Sequence, residues 1–192
     1  GERSVLAGGE PLPRLSVERL DPGAIAGAGL LHVDASDPEA SLWAARLARE
    51  AGVPVVVDAD RAGDGVDALI ALADFPVVSE SFIAEPGSAG AWEEGLEKLA
   101  ARRPRLAVIT RGDRGCVARF GEEQIQSPAI PVDVRDTTGA GDAFHAGLIW
   151  ALYRGYGPRQ ALAAANTLAG LSCRGQGAQQ GLPDEETVLA SL

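Results

Sequence analysis

Val53-Pro-Val-Val-Val-Asp-Ala-Asp60, "VPVVVDAD", is a nearly unbroken run of β-branched residues ended by two acids. β-branched side chains are stiff at χ1 and fit a pleated surface, and a run without polar alternation suits a strand covered on both faces, as in a parallel sheet. Working outward, the preceding segment has Asp37 as N-cap, Pro38 in the first turn and an amphipathic stretch over 38–51 closed by Gly52, which predicts a helix. "LLHVDAS" (30–36) before it reads as another strand. Downstream follow a short helix over 65–73, a strand "FPVVSES" (75–81), a helix over 89–102 with Trp92, Leu96 and Leu99 at helical spacing, and a strand "RLAVITRG" (105–112). This alternation predicts an α/β fold with a mostly parallel sheet flanked by helices. Sheets of this kind take ligands at the carboxyl ends of their strands, so loops 58–61, 79–82 and 110–115 are where binding residues are expected.

The rhythm changes in "GCVARFGEEQIQSPAIPV" (115–132), where short segments on either side of Gly121 predict an antiparallel hairpin. Beyond Asp136 the chain reads as helical over 140–154, ending at Gly155, over 158–172, and from about 184 onward. With no internal repeat, low-complexity tract or long linker, residues 1–192 read as one domain.

Composition narrows the function classes. The chain has 17 basic and 27 acidic residues, a net charge of −10, and no Lys/Arg cluster, so the basic footprint of a nucleic-acid binder is missing. No apolar run approaches the ~18 residues of a membrane span, and the first residues lack the pattern of a signal peptide. Cys116 and Cys173 fit no disulfide or metal spacing and read as small buried side chains in a reducing cytoplasm. The chain begins at Gly1 and contains no Met, so it reads as part of a longer protein.

"DTTGAGDAFHAG" (136–147) carries the chemistry. Gly139, Ala140 and Gly141 have little or no side chain, so an incoming group can approach their N–H groups, and the apolar segment that follows makes the loop a helix N-terminus. Together these features describe an anion hole. Asp142, in the first helical turn, is a candidate base beside it. Read locally, the same residues also fit a plain helix start, with Asp142 stabilising the first turn. "TRGDRG", with Thr110, Gly112 and Gly115, follows a predicted strand and offers a hydroxyl and amides to further phosphate oxygens, although by itself it is also a simple turn.

These residues resemble the ribokinase-like (PfkB) carbohydrate kinases, whose D-T-x-G-A-G-D-x-F-x-x-G signature is matched throughout from Asp136 to Gly147. The upstream T-x-G-x-x-G turn and "NTLAGLSCRGQGAQQGLP" (166–183), similar to the family's adenine-side helix and closing loop, extend the likeness over essentially the whole chain. The resemblance implies an ATP-dependent kinase acting on a ribose- or fructose-like sugar. Asp142 would take the proton of the attacking hydroxyl, and Gly139, Ala140 and Gly141 would steady the transferred phosphoryl group. Thr110 and Gly112 would meet the nucleotide, Gly115 would shape that turn, and Asn166 would sit near the adenine. A monovalent cation such as potassium would be held by Asp136 and Thr138 with carbonyls near Ser172, Gly175, Gly177 and Gly181. Mg2+ travels with ATP. The absence of a span or signal pattern reads as a cytoplasmic protein, and the resemblance implies a homodimer formed through a lid that this chain does not include.

Three departures bear on this reading. Ser79 and Phe82 stand where the family commonly has the Asn and Glu of N-x-x-E, leaving only Glu80 as an acid there, so magnesium is expected without a protein ligand being assigned to it. "DADR" (58–61) only approximates D-x-N-x-R, so Asp58, Asp60 and Arg61 either touch the sugar or metal region or end a strand. The N-terminal part that carries the lid and the sugar-binding glycines has no counterpart here. The alternatives are a kinase of the same family for a nucleoside or another small alcohol, and a catalytically silent nucleotide-binding domain. Elsewhere, His32 is expected as a packed strand histidine, His145 as packing behind the site, and Trp43, Trp92 and Trp150 as core or helix–sheet contacts.

Overall fold

The computed structural model describes residues 14–61, 63–83 and 91–191. The chain forms two compact units, one of residues 14–111 and 117–126, the other holding 112–116 and 127–191 among the described residues.

The first unit contains most of the sheet. After a 3-10 turn at Val17–Arg19 come α1 (Pro22–Ala26), β1 (Leu31–Asp34), α2 (Pro38–Glu50), β2 (Val55–Ala59), α3 (Val66–Leu72), β3 (Phe75–Ser79), α4 (Glu80–Ile83), α5 (Ala91–Ala100) and β4 (Ala107–Thr110). A 3-10 turn at Gly112–Arg114 leads to β5 (Cys116–Phe120) and β6 (Glu123–Ser127). The six strands lie in the order β1-β2-β3-β4-β5-β6, with the first four parallel. The antiparallel pair β5–β6 turns at Gly121, φ 55°, as the hairpin pattern predicts.

The β-branched run behaves as expected: Val55, Val56 and Val57 are each 0% exposed. Burying one such side chain stabilises by about 1.5–3 kcal/mol. Ala40, Ala44, Ala45 and Ala48 form the buried stripe of α2, whose Asp37 side chain caps the Ala40 amide (3.5 Å). Leu69, Leu96, Ile109 and Val117 complete the core of this unit.

Element ends differ from the sequence reading for identifiable reasons. Val53 N–H donates to Ala48 O (2.8 Å), so it closes the exit of α2 and does not begin β2. Arg105 and Leu106 both donate to Asp74 O (2.8 and 3.2 Å), which delays β4 to Ala107. Ser79 Oγ accepts from Phe82 N–H (3.1 Å), and this cap starts α4 where the strand was expected to continue. The start of the 89–102 helix lies outside the described residues before Ala91.

The second unit is helical: α6 (Ala140–Tyr153), α7 (Pro158–Ser172) and α8 (Glu185–Leu189). Gly147 lets α6 approach α7 closely, because a Cβ there would lie 2.9 Å from both Ala164 O and Ala165 Cα. Ala161, Leu162, Ala164 and Ala165 are each 0% exposed on the facing stripe. No helix among the described residues is long and apolar enough to cross a membrane.

Candidate active site

Gly139 is the N-cap of α6 and adopts φ 78°, ψ 4°. A Cβ at this position would fall 2.7 Å from Ala178 Cβ, so glycine is required both for its backbone and for space. Ala140 N–H closes a turn onto Thr137 O (3.2 Å), and Ala143 N–H begins the helical ladder on Gly139 O (2.8 Å). Gly141 is exposed, and a Cβ built on it meets nothing within 4 Å, so the space before the first turn is open. Asp142 is also exposed and stands in that first turn, where the dipole of a 14-residue helix favours negative charge. His145 is buried, and its Nδ1 lies 2.9 Å from Gly141 O. A carbonyl only accepts, so Nδ1 carries the proton and holds the first turn from behind, as its expected packing role implies.

The loop before α6 is tied to the segment after α7 through Asp136. Its Oδ1 accepts from Thr138 N–H (2.9 Å) and its Oδ2 from Gly177 N–H (2.7 Å). These amides, with the Thr138 hydroxyl, hold the carboxyl below its usual range. The stabilisation they provide is present above the unfolded-state value and is lost as pH falls through the lowered one. Arg135 and Asp136 N–H both donate to Cys173 O (2.8 and 3.2 Å). In the same segment a Cβ on Gly181 would fall 2.1 Å from Ser172 O, and one on Gly175 would fall 2.3 Å from Gly181 N. Asp136, Thr138, Ser172, Gly175, Gly177 and Gly181 therefore lie close together, with backbone set against backbone.

The turn Gly112–Gly115 is closed by Gly115 N–H on Gly112 O (3.0 Å), with φ 59° at Gly112 and 78° at Gly115. A Cβ on Gly115 would lie 2.2 Å from Ser127 O and 2.5 Å from Ala129 N. Asn166, expected near the adenine, is 5% exposed. Its Nδ2 donates to Ser127 O (3.0 Å), Ser127 Oγ (2.9 Å) and Cys116 Sγ (3.5 Å). Burial pushes the Cys116 thiol up to about 12, against the hydrogen bonds from Asn166 and Ser127 that favour the thiolate. Both cysteines are free and buried, as expected. Cys116 should therefore resist iodoacetamide at pH 8 in the native protein and label only in denaturant, as peptide mass spectrometry would show; rapid native labelling would contradict its burial.

In the sheet unit, the carboxyl ends of the strands align Asp34 with Asp58 and Ser79 with Thr110. Thr110 Oγ1 donates to Val78 O (3.5 Å). Ser79 is occupied by Ser81 (2.8 Å) and its cap, while Glu80 accepts from Arg111 Nε (3.3 Å), whose guanidinium stacks over Trp92 at 4.7 Å. Ser79 and Glu80 are thus both engaged within the protein. Asp60 and Arg61 are exposed and pair with each other (3.4 Å). Two expectations need correction. His32 is exposed on β1 and not a core residue, because the strand alternates half-buried and exposed residues. Trp150 is not a core residue: it stacks on Tyr156 (5.6 Å) and donates to Glu185 (3.2 Å) at the surface end of α6. Ser127 was not singled out by sequence reading, since nothing local signals a partner 39 residues away.

Comparison with known proteins gives a consistent result. The chain matches the family described as "pfkB family carbohydrate kinase" over residues 10–185. It is 36% identical to a fructokinase of Klebsiella pneumoniae over 137 residues, covering 67% of this chain and 44% of that protein. It is 30% identical over 193 residues to an ATP-dependent ribose-1-phosphate kinase of Halopiger xanaduensis, covering 100% of this chain and 64% of that one. The aminoimidazole riboside kinase of Salmonella enterica, solved with aminoimidazole riboside and an ATP analogue, superposes with a TM-score of 0.72 at 29% identity, covering 83% of this chain and 61% of that one. The chain thus spans less than two thirds of the length of each. Because the match runs from residue 10 to 185 and takes in the whole Asp136–Gly147 signature, the chain belongs to the pfkB family of carbohydrate kinases.

Proposed function

We propose that this chain supplies the nucleotide-binding and phosphoryl-transfer half of a cytoplasmic ATP-dependent sugar kinase, with Asp142 as the catalytic base. The observation that carries the reading is the exposed Asp142 in the first turn of α6, beside the open approach to Gly141 and behind the constrained Gly139. In the proposed step the substrate O–H bond breaks and its proton passes to the Asp142 carboxylate. The freed oxygen forms a bond to the γ-phosphorus of ATP, and the bond from that phosphorus to the β–γ bridging oxygen breaks, its electron pair leaving with ADP. The amides of Gly139 and Gly141, at the positive end of α6, face the charge of the moving phosphoryl group, whereas Ala140 N–H, expected beside them, is engaged by Thr137 O. The turn containing Gly112 and Gly115 holds the nucleotide.

Magnesium bound to ATP would neutralise phosphate charge and would be held largely by phosphate oxygens and water. The donor set of the Asp136 cluster, carboxylate and carbonyl oxygens, fits a hard monovalent cation such as potassium. Asp136, Thr138, Ser172, Gly175, Gly177 and Gly181 would hold it, and its charge would steady the loop that ends at the anion hole. The fructokinase and ribose-1-phosphate kinase relatives support a ribose- or fructose-like acceptor. The riboside kinase neighbour favours a second reading, a nucleoside-like acceptor.

Calorimetry with ADP tests the nucleotide site, and ADP release by the full-length protein over a panel of sugars and nucleosides, with and without potassium, tests the reaction. Binding of ADP together with turnover of at least one alcohol is expected. ADP binding without any turnover would support a silent nucleotide-binding domain instead.

A further inference from the structure

We propose that Asn166 is a positioning residue of the nucleotide site, a buried brace that sets nucleotide affinity without touching the nucleotide. The inference rests on reading Gly112–Gly115 as the nucleotide turn. That turn has no hydrophobic anchor of its own, since Gly112, Asp113 and Arg114 lie toward solvent. Its shape depends on what stands behind Gly115, and there the Ser127–Ala129 backbone packs within 2.2–2.6 Å of the absent Cβ. Whatever locates Ser127 therefore locates the turn.

Asn166 does this from α7. Its amide carries two hydrogens, shared among Ser127 O (3.0 Å), Ser127 Oγ (2.9 Å) and Cys116 Sγ (3.5 Å). One side chain thus joins the residue directly after the turn to the segment packed behind it. Both of its N–H donors are consumed inside the protein, where only 5% of the residue is exposed, so no donor is left for a base. Buried polar groups of this kind are costly when left half satisfied, so removing Asn166 takes a donor from both Ser127 O and Ser127 Oγ and frees the segment to shift.

The test is steady-state kinetics and ADP calorimetry on full-length Asn166→Ala and Ser127→Ala. For Asn166→Ala, KM for ATP and Kd for ADP should rise about tenfold, while kcat at saturating ATP stays within about twofold. The ratio of KM for GTP to KM for ATP should not change, because a brace affects every nucleotide alike whereas a base contact does not. Ser127→Ala keeps the main-chain acceptor and should raise KM for ATP about two- to threefold. The double variant should be no worse than Asn166→Ala, since both act through one network. If Asn166→Ala does not fold, Ser127→Ala with the GTP/ATP ratio decides. A changed base preference, an unchanged KM for ATP, or a fall in kcat that tracks lost folded protein would overturn the brace while leaving the kinase reading intact. A parent protein that binds no ADP would overturn both.

Discussion

Asp142→Asn is expected to lower kcat by about 100- to 10,000-fold, the range by which a positioned general base contributes, while leaving the fold and ADP affinity in place. The substitution is nearly isosteric, and Asp142 is exposed in the first turn of α6. Asparagine loses the acceptor for the alcohol proton and the charge at the head of α6, but unpacks nothing. The measurement is single-turnover phosphorylation beside ADP calorimetry and thermal melting. A variant that keeps full activity sinks the assignment of the base, and a variant that melts many degrees lower shows the residue to be a structural helix stabiliser.

The second large effect should fall on the nucleotide turn, through a pair of substitutions that differ in one physical respect. Gly112 and Gly115 both have positive φ, 59° and 78°, so alanine at either costs roughly 1–2 kcal/mol of left-handed backbone. At Gly112 a Cβ meets nothing within 4 Å, whereas at Gly115 it would lie 2.2 Å from Ser127 O and 2.6 Å from Pro128 C. Those are backbone atoms that cannot rotate away, so Gly115→Ala carries a further cost of about 1–3 kcal/mol from overpacking. Gly115→Ala should therefore lower the melting temperature by several degrees more than Gly112→Ala and abolish ADP binding. Equal effects of the two substitutions would show that the close packing behind Gly115 does not shape the turn.

How much was legible beforehand follows from the range of the forces involved. The buried strand Val55–Ala59 was readable because β-branched repetition is a local property, and the Asp37-Pro38 start of α2 because a cap and its amides lie within one turn. The glycines of 139–141 announced a helix start for the same reason. His32 was misjudged because apolar neighbours suggest burial, while exposure depends on what covers that face of β1. α4 was missed because the Ser79 cap takes over a segment whose composition alone extends the strand. Trp150 looked apolar in its helix, but Glu185, 35 residues further on, draws its indole N–H to the surface end.

The sequence by itself determined the alternating α/β order, the positions that must be glycine or proline, and the family signature from Asp136 to Gly147, because each depends on residues adjacent along the chain. Only the tertiary structure decided that Asp136 clamps Gly177, that Gly181 lies against Ser172, and that Asn166 turns inward to Ser127 and Cys116. Those contacts join residues from nine to 50 positions apart, and a hydrogen bond or a missing Cβ acts only over a few ångströms of space, whatever the distance along the chain.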